Sequence, residues 1–209
     1  MDPGILLKGL IIGFSIAAPV GPIGVLCIRR TLAYGRASGL ATGMGVATAD
    51  GFYGMVAGFS LTFISNLLVS QQLLIRLIGG TFICYLGIKT LLSKPGGNSE
   101  KIGGKGLAGT YISTFFLTLT NPLTIMFFAA VFAGLGLGSS SGTSYSSASL
   151  MVFGVFLGSA LWWIILTTAV SFFRSRLNSL GLRWINFISG LIITVFGVTT
   201  LLSLLLTNF

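Results

Sequence analysis

The chain has no histidine, three acidic residues and two cysteines among 209 residues. The missing histidine removes the commonest metal ligand and the side chain that titrates near neutral pH. Cys27 and Cys84 both lie in apolar stretches, so they build neither a disulfide framework nor a metal cluster. They read as small core residues. Charge is scarce too. Only 7% of the residues are charged, against about 25% in a soluble domain. A chain so poor in charge cannot cover a water-facing surface, and 54% of it is hydrophobic. These shortages point away from a soluble enzyme and toward an all-α integral membrane protein whose first partner is the lipid bilayer. No catalytic residue, metal or cofactor is expected.

The net charge of +9 is better read by position than by sum. It gathers at Arg29, Arg30 and Arg36, at Lys94, Lys101 and Lys105 with Glu100, and at Arg174, Arg176 and Arg183. Such clusters flank membrane helices on the cytoplasmic side, so nucleic acid is not an expected partner. The beginning of the chain carries Asp2 and Lys8 rather than a basic run, and Ala17-Ala18-Pro19 makes a weak cleavage site. It reads as a retained helix rather than a secretory signal.

A helix needs about 20 mostly apolar residues to cross a bilayer. Six segments qualify: 4–28, 39–62, 71–93, 107–133, 147–173 and 182–207. The connections 29–38 and 174–181 are basic, and 94–106 is a flexible charged linker. Residues 63–70 and 134–146 carry no charge. Alternation of basic and neutral loops predicts that both termini lie on the outer face of the membrane.

The segments repeat. "LIGGTFICYLGIKTLLS" (77–93) answers "FISGLIITVFGVTTLLS" (187–203) at a constant offset. "GPIG" (21–24) answers "NPLT" (121–124), which pairs Pro22 with Pro122. "GVATAD" (45–50) answers "GVFLGS" (154–159), which sets Ser159 opposite Asp50. Three spans per half is an odd number, so the halves cross the membrane in opposite senses. The expected fold is a 3+3 inverted-topology repeat of six transmembrane helices, with residues 1–93 and 107–209 as its halves. Many secondary transporters are built this way.

Within that frame the stretch "APVGPIG" (18–24) acquires a purpose. Pro19 and Pro22 leave the carbonyls of Ser15 and Ala18 without their usual donors, and Pro122 does the same to Thr118. A helix broken inside a membrane survives only where it is buried or lines a cavity. Gly/Pro-interrupted segments at matched positions of two halves mark transporter binding sites. Pro19, Gly21 and Pro22 thus pair with Asn121 and Pro122. A packing kink is the competing reading for any one break.

Asp50 is the one acidic residue well inside a span. A carboxylate at bilayer centre costs about 2.5–3.5 kcal/mol on insertion scales, so it should face a cavity or a partner. Gly39, Gly43, Ala47, Gly51, Gly54 and Gly58 form a stripe beside it that lets another helix approach. The stripe serves an internal contact or a homodimer equally well. Asp50 either carries a proton or meets a substrate ammonium, or it is satisfied by a hydrogen bond to another helix. Tyr53, one turn on, could share its site. Span 4 is polar before its break, at Thr110, Ser113, Thr114, Thr118, Thr120 and Asn121. Its hydroxyls either line a path or return bonds to their own helix. Trp162 and Trp163 read as packing.

With these elements in order, "PVGP" (19–22), "RRTLAYGRASGLATGMGVATAD" (29–50), "YLGIK" (85–89) and "LTNPLTIMFF" (119–128), the chain resembles the LysE/RhtB family of amino-acid exporters. The resemblance implies outward movement of amino acids driven by the proton-motive force, with protons as the coupling ion. By matched position it puts functional residues at Pro19, Gly21, Pro22, Asp50, Asn121 and Pro122. One departure is Ile23, where many members carry Asn.

Rival readings are weaker. A thiol–disulfide carrier needs a cysteine in each half, and both lie in the first. A metal exporter lacks ligands. The segment "GGNSEKIGGKG" (96–106) misses the phosphate-loop spacing. A membrane scaffold needs neither matched breaks nor a buried acid.

Overall fold

The computed structural model describes residues 3–19, 21–59, 70–92, 106–121, 124, 125, 127, 128, 145–174 and 179–206. They form seven α-helices and no strand: α1 (Pro3–Ala17), α2 (Pro22–Tyr34), α3 (Arg36–Gly58), α4 (Gln72–Leu91), α5 (Gly106–Leu119), α6 (Tyr145–Arg174) and α7 (Ser179–Leu206). By length and apolar composition, Tyr145–Arg174 and Leu180–Ser203 can each cross a membrane alone. Gly4–Ala17 and Pro22–Tyr34 meet the same criterion only as a pair, bent by 81° at the break, which suits a broken span or a re-entrant loop. Helix α5 is apolar but shorter.

The first expected span therefore splits at its prolines. It also runs further than its apolar stretch. The basic connection expected over 29–38 is helical, interrupted at Gly35. Arginine is a good helix former, so α2 continues past the apolar residues as far as Tyr34. Gly35 ends it at φ +97°, a conformation that favours glycine, while its N–H returns to the Thr31 carbonyl (3.0 Å). Arg174 Nε donates to the Leu32 carbonyl (3.2 Å), satisfying one of the last carbonyls of α2. The linker 94–105, most of the 134–146 connection, and Pro122 lie outside the described residues.

The helices are apolar outside and partly polar inside. Leu73, Leu74, Ile78, Ile164, Ile165, Leu191 and Val195 are exposed, while Thr31, Thr42, Thr114, Thr118, Thr167, Asp50 and Ser159 are buried. An apolar surface of that extent suits lipid rather than water. The buried threonines mostly return hydrogen bonds to carbonyls four residues back, as Thr114 does to Thr110 (2.8 Å) and Thr118 to Thr114 (2.9 Å). Their polarity is thereby satisfied locally.

Glycine sets the close approaches. Helix α1 packs on α6, α3 on both α6 and α5, and α4 on α7. A Cβ on Gly13 would strike the Val155 carbonyl, and one on Gly158 the Leu10 carbonyl. Substituting Gly158→Leu must push α1 off α6, and overpacking of this kind costs about 1–3 kcal/mol or more. We expect a lower thermal midpoint and reduced recovery of folded protein in detergent. The α3 stripe is an internal contact: Gly43 meets Trp163, Gly51 meets Phe156 and Gly54 meets Val155, all on α6.

Candidate transport site

The two helix breaks share one feature of local construction, the restart of the helix on Gly21 and Asn121. At the first, Ala18 N–H bonds to Phe14 (3.0 Å), Gly21 N–H to Pro19 (3.0 Å), and Val25 N–H to Gly21 (3.0 Å). At the second, Thr120 N–H bonds to Phe116 (3.0 Å), Asn121 N–H to Thr118 (3.1 Å), and Ile125 N–H to Asn121 (3.2 Å). Gly21 and Asn121 thus each accept the first bond of a new helical turn. The Thr118 carbonyl, expected to be freed by Pro122, is taken by the Asn121 N–H. Asn121 Nδ2 donates to Thr124 Oγ1 (3.0 Å), which fixes its side chain across the turn.

A cavity of about 300 Å³ lies between the breaks. Pro19, Gly21, Pro22, Asp50 and Asn121 line it, so five of the nine site residues expected from sequence converge on one space. Gly21 caps α2 in an extended conformation (φ −88°, ψ −167°) with proline following it. The first N–H groups of a helix have no carbonyl within the helix to bond. At α2 these belong to Ile23 and Gly24, both cavity-lining residues. The start of α2 therefore presents donors and a partial positive charge to the cavity.

Asp50 enters from α3 and is 2% exposed. Ser159 Oγ on α6 donates to its Oδ2 at 2.6 Å. The two residues matched by sequence across the repeat are thus in direct contact. Asp50 forms no ion pair among the described residues. Its carboxyl has one neutral donor and an open cavity beside it, so it can accept a cation or a proton.

Of the other expected residues, Pro122 lies outside the described residues, and Tyr53, Thr118 and Ser159 sit apart. Tyr53 and Thr118 do not line the cavity, and Ser159 reaches it only through Asp50. Tyr53 Oη donates to the Leu119 carbonyl (2.7 Å) at the end of α5, and its ring stacks on Phe128 (5.2 Å). It closes a hydrogen bond that the second break leaves open. Tyr53→Phe should leave that carbonyl unpaired and cost about 1–3 kcal/mol, read as a lower thermal midpoint. Lining residues that sequence did not single out as site residues include Thr124, Phe127, Trp163 and Phe196. Trp163, expected to pack, does pack against Gly43, but it also lines the cavity. Its buried indole N–H has no partner among the described residues. Nothing in sequence separates the aromatic lining from other apolar positions.

The profile of the LysE type translocator family matches residues 14–204. The chain is 29% identical over 198 residues to the "Putative amino acid efflux protein YcgF" of Bacillus subtilis (strain 168), covering 92% of this chain and 93% of that protein. It is 29% identical over 150 residues to the "Uncharacterized membrane protein YahN" of Escherichia coli (strain K12), covering 69% and 65%. It is 24% identical over 193 residues to the "Uncharacterized membrane protein YrhP" of Bacillus subtilis (strain 168), covering 86% and 90%. No solved structure matches the chain significantly. With nearly its whole length matched, the chain belongs to the LysE type translocator family.

Proposed function

We propose that the chain is a secondary transporter of the bacterial inner membrane. It exports amino acids, or related small zwitterionic solutes, driven by the proton-motive force. One observation carries this reading: a helix N-terminus and a buried carboxyl group share one small cavity. A zwitterion has complementary ends. Its carboxylate lies against the first N–H groups of α2, and its ammonium lies against Asp50. A proton on Asp50 replaces the ammonium when the empty carrier resets. The relative named for amino acid efflux supports the substrate class.

Alternating access needs two halves that rock about the site, and the contact pattern supports a 3+3 inverted repeat of six spans. Between α4 and α7, Gly80 meets Leu201 while Gly190 meets Leu91. Gly87 meets Thr194 while Gly197 meets Cys84. Exchanging each residue for its sequence match in the other half turns one contact of each pair into the other. Gly45 and Gly154, also matched, each seat the opposite half's first span: Gly45 meets Tyr111 and Phe115, and Gly154 meets Leu6 and Leu10. The basic clusters then lie on the cytoplasmic side and both termini outside.

The test is efflux from cells preloaded with a panel of labelled amino acids, with and without a protonophore, against empty vector. One solute class should leave faster with the protein, and the excess should vanish with the protonophore. No excess for any amino acid, from protein located in the membrane, rejects the substrate class.

A further inference from the structure

We propose that a second cavity, at the other end of α2 from Asp50, captures the carboxylate of the incoming solute, with Arg30 as its anchor. Assigning that carboxylate to the transported solute rests on the export reading above. The cavity measures about 630 Å³ and is bounded by α2, α3, α4 and α5. Arg29, Arg30 and Lys89 line it, and no carboxylate among the described residues does.

The setting of Arg30 is specific. Nη1 donates to Thr114 Oγ1 (2.8 Å) and Thr42 Oγ1 (3.2 Å), and Nη2 reaches Ser113 Oγ (3.5 Å). Those hydroxyl protons are already committed, Thr42 to the Ser38 carbonyl (2.9 Å), Thr114 and Ser113 to the Thr110 carbonyl (2.8 and 2.9 Å). The hydroxyls therefore act as acceptors that orient the guanidinium without neutralising it. Arg30 has no carboxylate partner among the described residues. A partly buried charge without a counter-ion is costly, and an anion entering the cavity relieves that cost. A guanidinium held flat by its neighbours suits the planar fork of a carboxylate.

Ser38 supplies an independent sign. It lines the same cavity and is 1% exposed, yet its Oγ has no partner among the described residues. A hydroxyl buried in that way is a donor waiting for an acceptor. Arg29 is committed differently, with Nε on Asn186 Oδ1 (2.9 Å) and its charge over the Tyr34 ring (5.7 Å). Lys89 is exposed at the rim.

The two cavities are separate stations. Eight residues of helix divide Pro22 from Arg30, about 12 Å at 1.5 Å per residue. One amino acid cannot touch both at once. Between them Ile23, which lines the first cavity, and Leu26, which lines the second, belong to one apolar cluster with Cys27, Val46, Leu117 and Trp163. The solute is caught by its carboxylate at Arg30, then crosses one apolar turn to the Asp50 cavity. Arg30 is held by residues on both sides of the linker, so the bound carboxylate lies where the halves meet.

The experiment uses the full chain in nanodiscs of phosphatidylcholine alone, with sodium acetate as the probe. The thermal unfolding midpoint is followed as acetate replaces chloride at constant ionic strength, since a ligand of the folded state raises it. The midpoint should rise with acetate in the wild type and in Asp50→Asn, and should not respond in Arg30→Gln. Lys89→Gln, altered at an exposed position that leaves folding intact, should need about tenfold more acetate, the scale of one charge-assisted hydrogen bond. No response in the wild type overturns the proposal, as does a response unchanged in both Arg30→Gln and Lys89→Gln. A rise seen only when phosphatidylglycerol replaces phosphatidylcholine, and lost in Arg30→Gln, overturns it in favour of a lipid headgroup. An acetate response that depends on Arg30, in a protein that exports nothing, supports the anion site and rejects the export reading alone.

Discussion

Asp50→Asn is expected to abolish proton-coupled export while leaving the protein folded and inserted. The amide matches the carboxylate in size, and its oxygen can still accept the Ser159 hydroxyl, which now donates to Asp50 at 2.6 Å. The contact between α3 and α6 therefore survives. What disappears is the negative charge and the exchangeable proton. Truncating one partner of a buried charged pair costs about 2–5 kcal/mol, so export should fall by about 30-fold or more at 1.4 kcal/mol per tenfold. The check is efflux from cells with matched membrane levels of both proteins. Full export by Asp50→Asn would remove Asp50 from the coupling mechanism.

Gly21→Leu is expected to stop export for a different reason, by filling the site. Gly21 lines the cavity, and a Cβ built on it meets nothing within 4 Å. Its φ of −88° is open to any residue. The backbone thus accepts the substitution, and the isobutyl group has only the cavity to occupy. Gly21→Ala should export near the wild-type rate, and Gly21→Leu about tenfold or more slowly, with unchanged thermal midpoints for both. The contrast with Gly158, where any Cβ strikes the Leu10 carbonyl, separates a site glycine from a packing glycine. Equal export by Gly21→Leu and Gly21→Ala would place the solute elsewhere.

Much of the site is legible in sequence because its parts violate the rules of a membrane helix. Proline removes a backbone donor and an acid carries a desolvation cost, so Pro19, Pro22 and Asp50 stand out against an apolar background. The internal repeat matches Ser159 to Asp50, but matched positions need not touch, and their contact (2.6 Å) is legible only in the structure. Other features leave no such mark. Trp163 and Phe196 line the cavity, but an aromatic that faces a cavity reads like one that faces a neighbouring helix. The second cavity was hidden because Arg29 and Arg30 look like any basic loop beside a membrane. Only the extension of α2 to Tyr34 carries them onto a helix and turns Arg30 toward Thr42 and Thr114. Tyr53 shows the converse. Its position one turn from Asp50 suggests a shared site, whereas its hydroxyl is spent on the Leu119 carbonyl.

Trp163 offers the most direct test of the Asp50 cavity as the solute site. The chain has three tryptophans, and Trp163 alone of them lines that cavity. With Trp162→Phe and Trp184→Phe in place, the fluorescence of purified protein reports on this one indole. Titration with a solute identified by efflux should give a saturable change in emission, lost when Asp50→Asn or Gly21→Leu is added. Saturable binding of that solute by equilibrium dialysis, with Trp163 emission unchanged throughout, would contradict the assignment.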